Sequence, residues 1–172
     1  MIQNKTTHRI LLMADSAEGD GADPFATAAA NLEAPKFPIL APDRIVRFEI
    51  KKCTVDAVKD KPGRKVMTVK LATTKDATLD DGKIAKAGFT GFHRIGLTPS
   101  EPGGEGRERT NKNIAEDLGM LLKACGKGTN TPREVMDNPA MVEGQVVDMK
   151  VGVTPEKNGF PASNNFKFVL PG

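Results

Sequence analysis

Between positions 44 and 70 the sequence gathers Arg44, Arg47, Lys51, Lys52, Lys59, Lys61, Arg64, Lys65 and Lys70, and further on it sets Phe92 close before Arg94. Ammonium and guanidinium groups hold phosphate oxygens in a salt-dependent way, and an outward ring stacks on any base. Cations interleaved with an exposed Phe therefore point to single-stranded nucleic acid. The same residues also fit a plain solvated basic hairpin, with Phe92 under a loop or at a subunit contact. Further cations extend the candidate nucleic-acid-binding set: Arg107 and Arg109 at the end of a Gly- and Glu-rich loop, and Lys150 and Lys167 in the last third of the chain. With Arg47, Lys51, Arg64, Lys65, Lys70, Phe92 and Arg94 they make up the residues expected to touch DNA.

Other chemistries lack their residues. A phosphate-binding loop needs Gly-Lys-Ser/Thr opening a helix, whereas Gly126-Lys127-Gly128-Thr129 follows one. His8 and His93 lie far apart in the sequence and neither has metal-ligand spacing, so His93 reads as a hydrogen-bonded core or rim histidine. Cys53 and Cys125 fall on apolar faces and read as buried thiols. The acidic run Asp15 to Asp23 lacks the bidentate Glu of a calcium loop, since the twelfth position from Asp15 is Ala26. Carboxylates are scattered, with no pair placed for acid-base work. The expectation is a non-enzyme with no metal and no cofactor.

Periodicity supplies the elements that must position the cations. Val46, Phe48 and Ile50 alternate inward against Arg47, Glu49 and Lys51, after which Cys53 and Val55 continue in the opposite phase, so a bulge is expected at Lys51-Lys52. A turn at Asp60 to Gly63 leads into a second strand, Arg64 to Thr73, with Met67, Val69 and Leu71 inward and Lys70 outward. Residues 74–86 read as a polar connection. A third strand, Ala87 to Leu97, turns Phe89, His93 and Ile95 one way and Phe92 and Arg94 the other, onto the face of Arg47, Lys51 and Lys70. Residues 111–126 form the one long segment with a helical period: Ile114, Leu118, Leu121, Leu122 and Cys125 share a face, Asn111 or Asn113 caps the start, and Gly126 stops it. Thr131-Pro132 opens a short helix. Strands from Val142 to Thr154 and from Asn165 to Leu170 complete a count of five, with Asp148, Lys150 and Lys167 outward.

Five strands with a helix between the third and fourth is the order of a Greek-key barrel of the oligonucleotide/oligosaccharide-binding (OB) type. The fold class expected is therefore mainly β with one α-helix, preceded by an extended N-terminal arm over residues 1–43 and occupying residues 44–172. A sandwich or small β-roll shares the same periods. At 172 residues the chain suits one domain plus an arm, and a net charge of +3 permits a nucleic-acid partner without demanding one. Tyr and Trp are both absent, so any stacking surface must be built from Phe, Arg or His. The apolar run Ile10 to Met13 is too short for a signal peptide or a membrane span, and a soluble, cytoplasmic protein with no membrane partner is expected.

The segment Arg44 to Leu170 resembles a family of small bacteriophage proteins placed near the phage single-stranded DNA-binding proteins. The resemblance is carried by Phe48-Glu-Ile-Lys-Lys-Cys-Thr-Val55, the helix Ile114 to Gly126, the segment Pro132 to Asn138, and Gly159-Phe-Pro-Ala-Ser-Asn-Asn-Phe-Lys-Phe168. It implies an OB-type fold and sequence-independent binding of single-stranded DNA in replication or recombination, in the host-cell cytoplasm. The alternative is a virion decoration or assembly protein that uses the barrel as a scaffold. In either case the arm offers a route to a homo-oligomer.

Overall fold

The computed structural model describes residues 37–100 and 109–172. Of the arm assigned to residues 1–43, residues 1–36 with the acidic run lie outside them, as do Arg107 and the oligomer contact ascribed to the arm.

Five strands form one antiparallel sheet: β1 (Ile45–Ala57), β2 (Lys65–Thr73), β5 (Thr90–Gly96), β6 (Val146–Thr154) and β7 (Ser163–Val169), in the order β5-β2-β1-β6-β7. The connection after β2 is not bare loop, because β3 (Ala77–Thr78) and β4 (Ile84–Ala85) pair there as a small hairpin. Between β5 and β6 come the long helix α1 (Asn111–Ala124), the short helix α2 (Pro132–Asp137) and a 3₁₀ turn (Pro139–Val142). The fold is thus mainly β with one long helix. Every neighbouring pair in the sheet is antiparallel, so β5 and β7, at its two edges, run in the same direction.

Inward side chains follow the alternation. Phe48, Ile50, Met67, Val69, Leu71, Met149 and Val151 have no exposed surface, and Leu118, Leu121 and Leu122 of α1 close over them. The helix packs against β5 and β7, the two edge strands. The phase switch in β1 is a bulge: Ile50 pairs with Leu71 but Lys52, not Lys51, pairs with Lys70. One extra residue leaves the ladder at Lys51 and returns Cys53 to the core.

Local chemistry sets the ends of the elements, and here some expectations are corrected. Thr110, rather than Asn111 or Asn113, caps α1, its hydroxyl accepting from the Asn113 N–H at 3.2 Å. A Thr with extended backbone directly before the helix takes the cap that either Asn would otherwise fill. Gly126 is left-handed (φ +69°), as its role as the stop requires. Thr131 and Glu134 form a reciprocal capping box around α2 with Pro132 at its start. The expected fourth strand begins at Val146 rather than Val142, because Pro139–Val142 winds as a 3₁₀ turn and Gly144 (φ +77°) reverses the chain.

Residues 37–43, expected above as the end of the arm, run along the domain. Leu40 is fully buried and bridges to Leu79. Its backbone is held by one side chain, since Asn164 Oδ1 accepts from the Leu40 N–H at 2.7 Å while Nδ2 donates to the Leu40 carbonyl at 2.9 Å and to the Gly152 carbonyl at 3.2 Å. Asn164→Ala leaves those backbone groups without their partner. A loss of about 1–3 kcal/mol is expected, read as a lower denaturation midpoint at an unchanged denaturant slope.

Cys53 and Cys125 are free and buried. Burial pushes the Cys53 thiol up to about 12, with the charges of Glu143 and Cys125 adding to it, and pushes Cys125 up to about 11. Both values exceed the ordinary 9.0, so the fold favours the neutral thiols. Their contribution to stability is complete below that value and is lost as pH rises through about 11 to 12. At pH 8 an aromatic disulfide reagent should leave both thiols untouched in the native protein and titrate both after denaturation.

Candidate nucleic-acid interface

On the outer face of the sheet the register places the cations and the ring in rows. Lys52 of β1 stands opposite Lys70 of β2, and Lys70 opposite Phe92 of β5. One row on, Thr54, Thr68 and Arg94 stand in line. Residues directly opposite in adjacent strands present their side chains to the same face, so Lys52, Lys70, Phe92 and Arg94 share one surface. Phe92 keeps 51 % of its surface exposed, which is unusual for a large apolar ring with a buried alternative one residue away on the strand. Lys52, Lys70 and Arg94 are exposed, and none makes an ion pair among the described residues.

The remaining candidates fall elsewhere. Lys51, expected beside Lys70, is the bulge residue and binds Glu49 at 2.6 Å, so Lys52 takes its place in the row. Arg47 lies on the β6 side of β1 and makes a two-pronged contact with Asp148, at 2.8 and 3.0 Å. That hydrogen bond and its charge hold the Asp148 carboxyl below its ordinary range. Lys150 reaches Asp43 at 3.5 Å and stands opposite Lys167 of β7. Arg64 and Lys65 are exposed where the β1–β2 loop enters β2. Arg109 is structural: its Nε donates to the Gly96 carbonyl at 2.8 Å and its guanidinium pairs with Asp117 at 2.9 Å, tying the end of β5 to α1. The structure thus brings Lys70, Phe92 and Arg94 together, adds Lys52, and disperses the others.

The row ends at the seam between β5 and β7, where no strand pairing joins the two edges. Side chains bridge it instead. The Phe166 ring lies beneath Gly91, where an added Cβ would come within 2.8 Å of the ring, so the strand needs glycine there. Phe166 also packs edge-on against Phe48 at 5.3 Å, and His93 packs edge-on against Phe168 at 5.0 Å. Burial lowers the His93 pKa, with Asp117 and the Phe166 backbone pulling the other way and Arg109 adding to the fall. The neutral imidazole belongs to the fold, so its contribution is present above the ordinary 6.5 and is lost as pH falls through the lowered value.

Beside this seam opens a groove of about 730 Å³, lined on one side by Phe89 and by β5 from Thr90 to Arg94 and on the other by Pro161 to Phe166, with the exposed Phe37 at its mouth. Phe37 is 65 % exposed, and Phe160, at the tip of the β6–β7 loop, is 75 % exposed. Neither was singled out by periodicity, because neither lies within a strand; an aromatic residue directly before a proline was the only signal. Among the described residues no group of three or more His, Cys, Asp and Glu is placed to hold a metal ion, and no helix is long and apolar enough to cross a membrane. Compared with models of protein families and with curated proteins, the sequence matches none, so its own geometry carries the functional argument.

Proposed function

We propose that the chain is a sequence-independent single-stranded DNA-binding protein of the phage type, acting in replication or recombination, and that its sheet is an OB-type Greek-key barrel closed by side chains. The observation that carries the reading is the row Lys52, Lys70, Phe92 with Arg94 beside it: an exposed ring set among cations that no carboxylate of the described residues neutralises. Cations on the scaffold hold the sugar-phosphate backbone and the ring stacks a base. Neither contact depends on which base is present.

The barrel reading is supported by the strand order and by the helix. In an OB barrel the third and fifth strands face each other across the closing seam, and the helix caps the core between the third and fourth. Counting the long strands only, those are β5 and β7, and α1 packs against both. Phe166 and His93 fill the seam in place of backbone hydrogen bonds. The strand faces that bind oligonucleotides in such barrels are the second and third, which here carry Lys70, Phe92 and Arg94.

The test is a competition measured by fluorescence anisotropy. A labelled oligothymidine bound at low salt should be displaced by unlabelled single strand of mixed sequence, and far less by the same sequence as a duplex, whose bases are not free to stack. Equal displacement by duplex and single strand would reduce the face to a general polyanion surface.

A further inference from the structure

The groove at the β5–β7 seam has the size of a ligand site, within the range of about 300–1,000 Å³ over which small molecules are enclosed. Phe37, Pro38, Phe89, Phe92 and Phe166 supply apolar wall, and among the described residues no carboxylate and no lysine lines it. Its one permanent charge is Arg94, since the His93 imidazole is held toward its neutral form by burial. Asn164 is committed to Leu40 and Gly152, and Asn165 donates to Thr154. Thr90, Ser163 and Arg94 make no side-chain hydrogen bond among the described residues, and all three line the groove.

We propose that this groove seats one unstacked nucleobase of the bound strand, with an adjoining phosphate on Arg94. The inference rests on the single-strand reading above and goes beyond it, because stacking on an open sheet needs no pocket. Charge complementarity chooses the occupant: aromatic walls, two free hydroxyls and a cation at the rim suit a flat heterocycle tethered to an anion, while a cationic ligand would meet Arg94 with no carboxylate to receive it. Continuity supports the same choice. Phe92 and Arg94 belong both to the exposed rows and to the groove wall, so a strand lying along the rows reaches the groove at once. The bound strand therefore has one nucleotide position whose base is enclosed rather than merely stacked.

The experiment compares two labelled strands of equal length, one abasic throughout and one abasic except for a single central thymidine, titrated with the full-length protein at low salt. Wild type should bind the strand carrying the base about tenfold more tightly, the worth of one well-held base. Ser163→Trp, which fills the groove from the edge of β7, and Phe37→Ala, which strips its mouth, should each reduce that gain, read as the ratio of the two affinities, below about twofold. Both sites are exposed, and a circular-dichroism melt confirms that each variant is folded. A gain that is absent in wild type, or that survives in both folded variants, overturns the pocket and leaves the single-strand reading standing. Failure of wild type to bind either strand, or an unmodified oligothymidine, overturns both.

Discussion

Phe92→Ala should weaken oligothymidine binding by roughly five- to 150-fold, the equivalent of about 1–3 kcal/mol for one lost stacking partner. The ring is half-exposed on the outer face and makes no ring contact with another aromatic among the described residues, so its removal should take away outer surface and little of the core. Thermal stability should move by no more than about 0.5 kcal/mol, as for ordinary surface substitutions. Lys70→Ala acts through a different quantity. It removes a phosphate contact, so the slope of log affinity against log salt should fall by about 0.7, with a modest loss at any single salt concentration. Anisotropy titrations at several salt concentrations separate the two: Phe92→Ala lowers the line, and Lys70→Ala flattens it. The opposite pattern, a Phe92 variant that binds as wild type and melts early, would make the ring a structural residue of β5.

Phe48→Ala is expected to be the most damaging single change to the fold, at about 3–5 kcal/mol, a large fraction of the stability of any domain. Phe48 has no exposed surface, sits mid-strand between partners on β2 and β6, and packs edge-on against Phe166 at 5.3 Å. Phe166 in turn lies beneath Gly91, so the cavity left at Phe48 loosens the ring that bridges the β5–β7 seam. The drop in melting temperature should be on the order of 10 °C or more for a chain of this size. Phe168→Ala, which disturbs only the His93 side of the same seam, should cost less, because Phe168 is half-buried. Differential scanning of the two variants reads the order directly.

The sheet was legible because period two survives along each strand and fails in one informative place. The switch from Phe48 and Ile50 to Cys53 and Val55 located the bulge, and the structure puts it between Ile50 and Lys52. What periodicity did not reveal is which lysine leaves the ladder, since both are polar and adjacent. Lys51 pairs with Glu49, and Lys52 stands in the row with Lys70 and Phe92. The helix was legible from its apolar face, whereas its cap was not, because Thr110, Asn111 and Asn113 are all residue types that cap helices, each for a different starting turn. Val142 carried the apolar character of a strand start, but Pro139 and Gly144 around it were the better guides.

The candidate site divides along the same line. Lys70, Phe92 and Arg94 were placed on one face by alternation alone, because facing across a hairpin ladder follows from register. The fates of Arg47, Lys150 and Arg109 depend on Asp148, Asp43 and Asp117, residues brought close by tertiary folding that no local pattern encodes. The groove is of this kind too. It joins residues near position 37, near 90 and near 163, held together by the Asn164 amide clasping Leu40 from 124 positions away.

Nuclear magnetic resonance of the isotopically labelled protein, titrated with an unlabelled oligothymidine at low salt, tests the assignment of the binding face most directly. Shifts should concentrate at Lys52, Thr54, Thr68, Lys70, Phe92 and Arg94, extend to the groove at Phe37 and Ser163, and reverse as salt is added. Spectra that do not change at low salt, or changes confined to the outer surface of β6 and β7 around Asp148, Lys150 and Lys167, would contradict it.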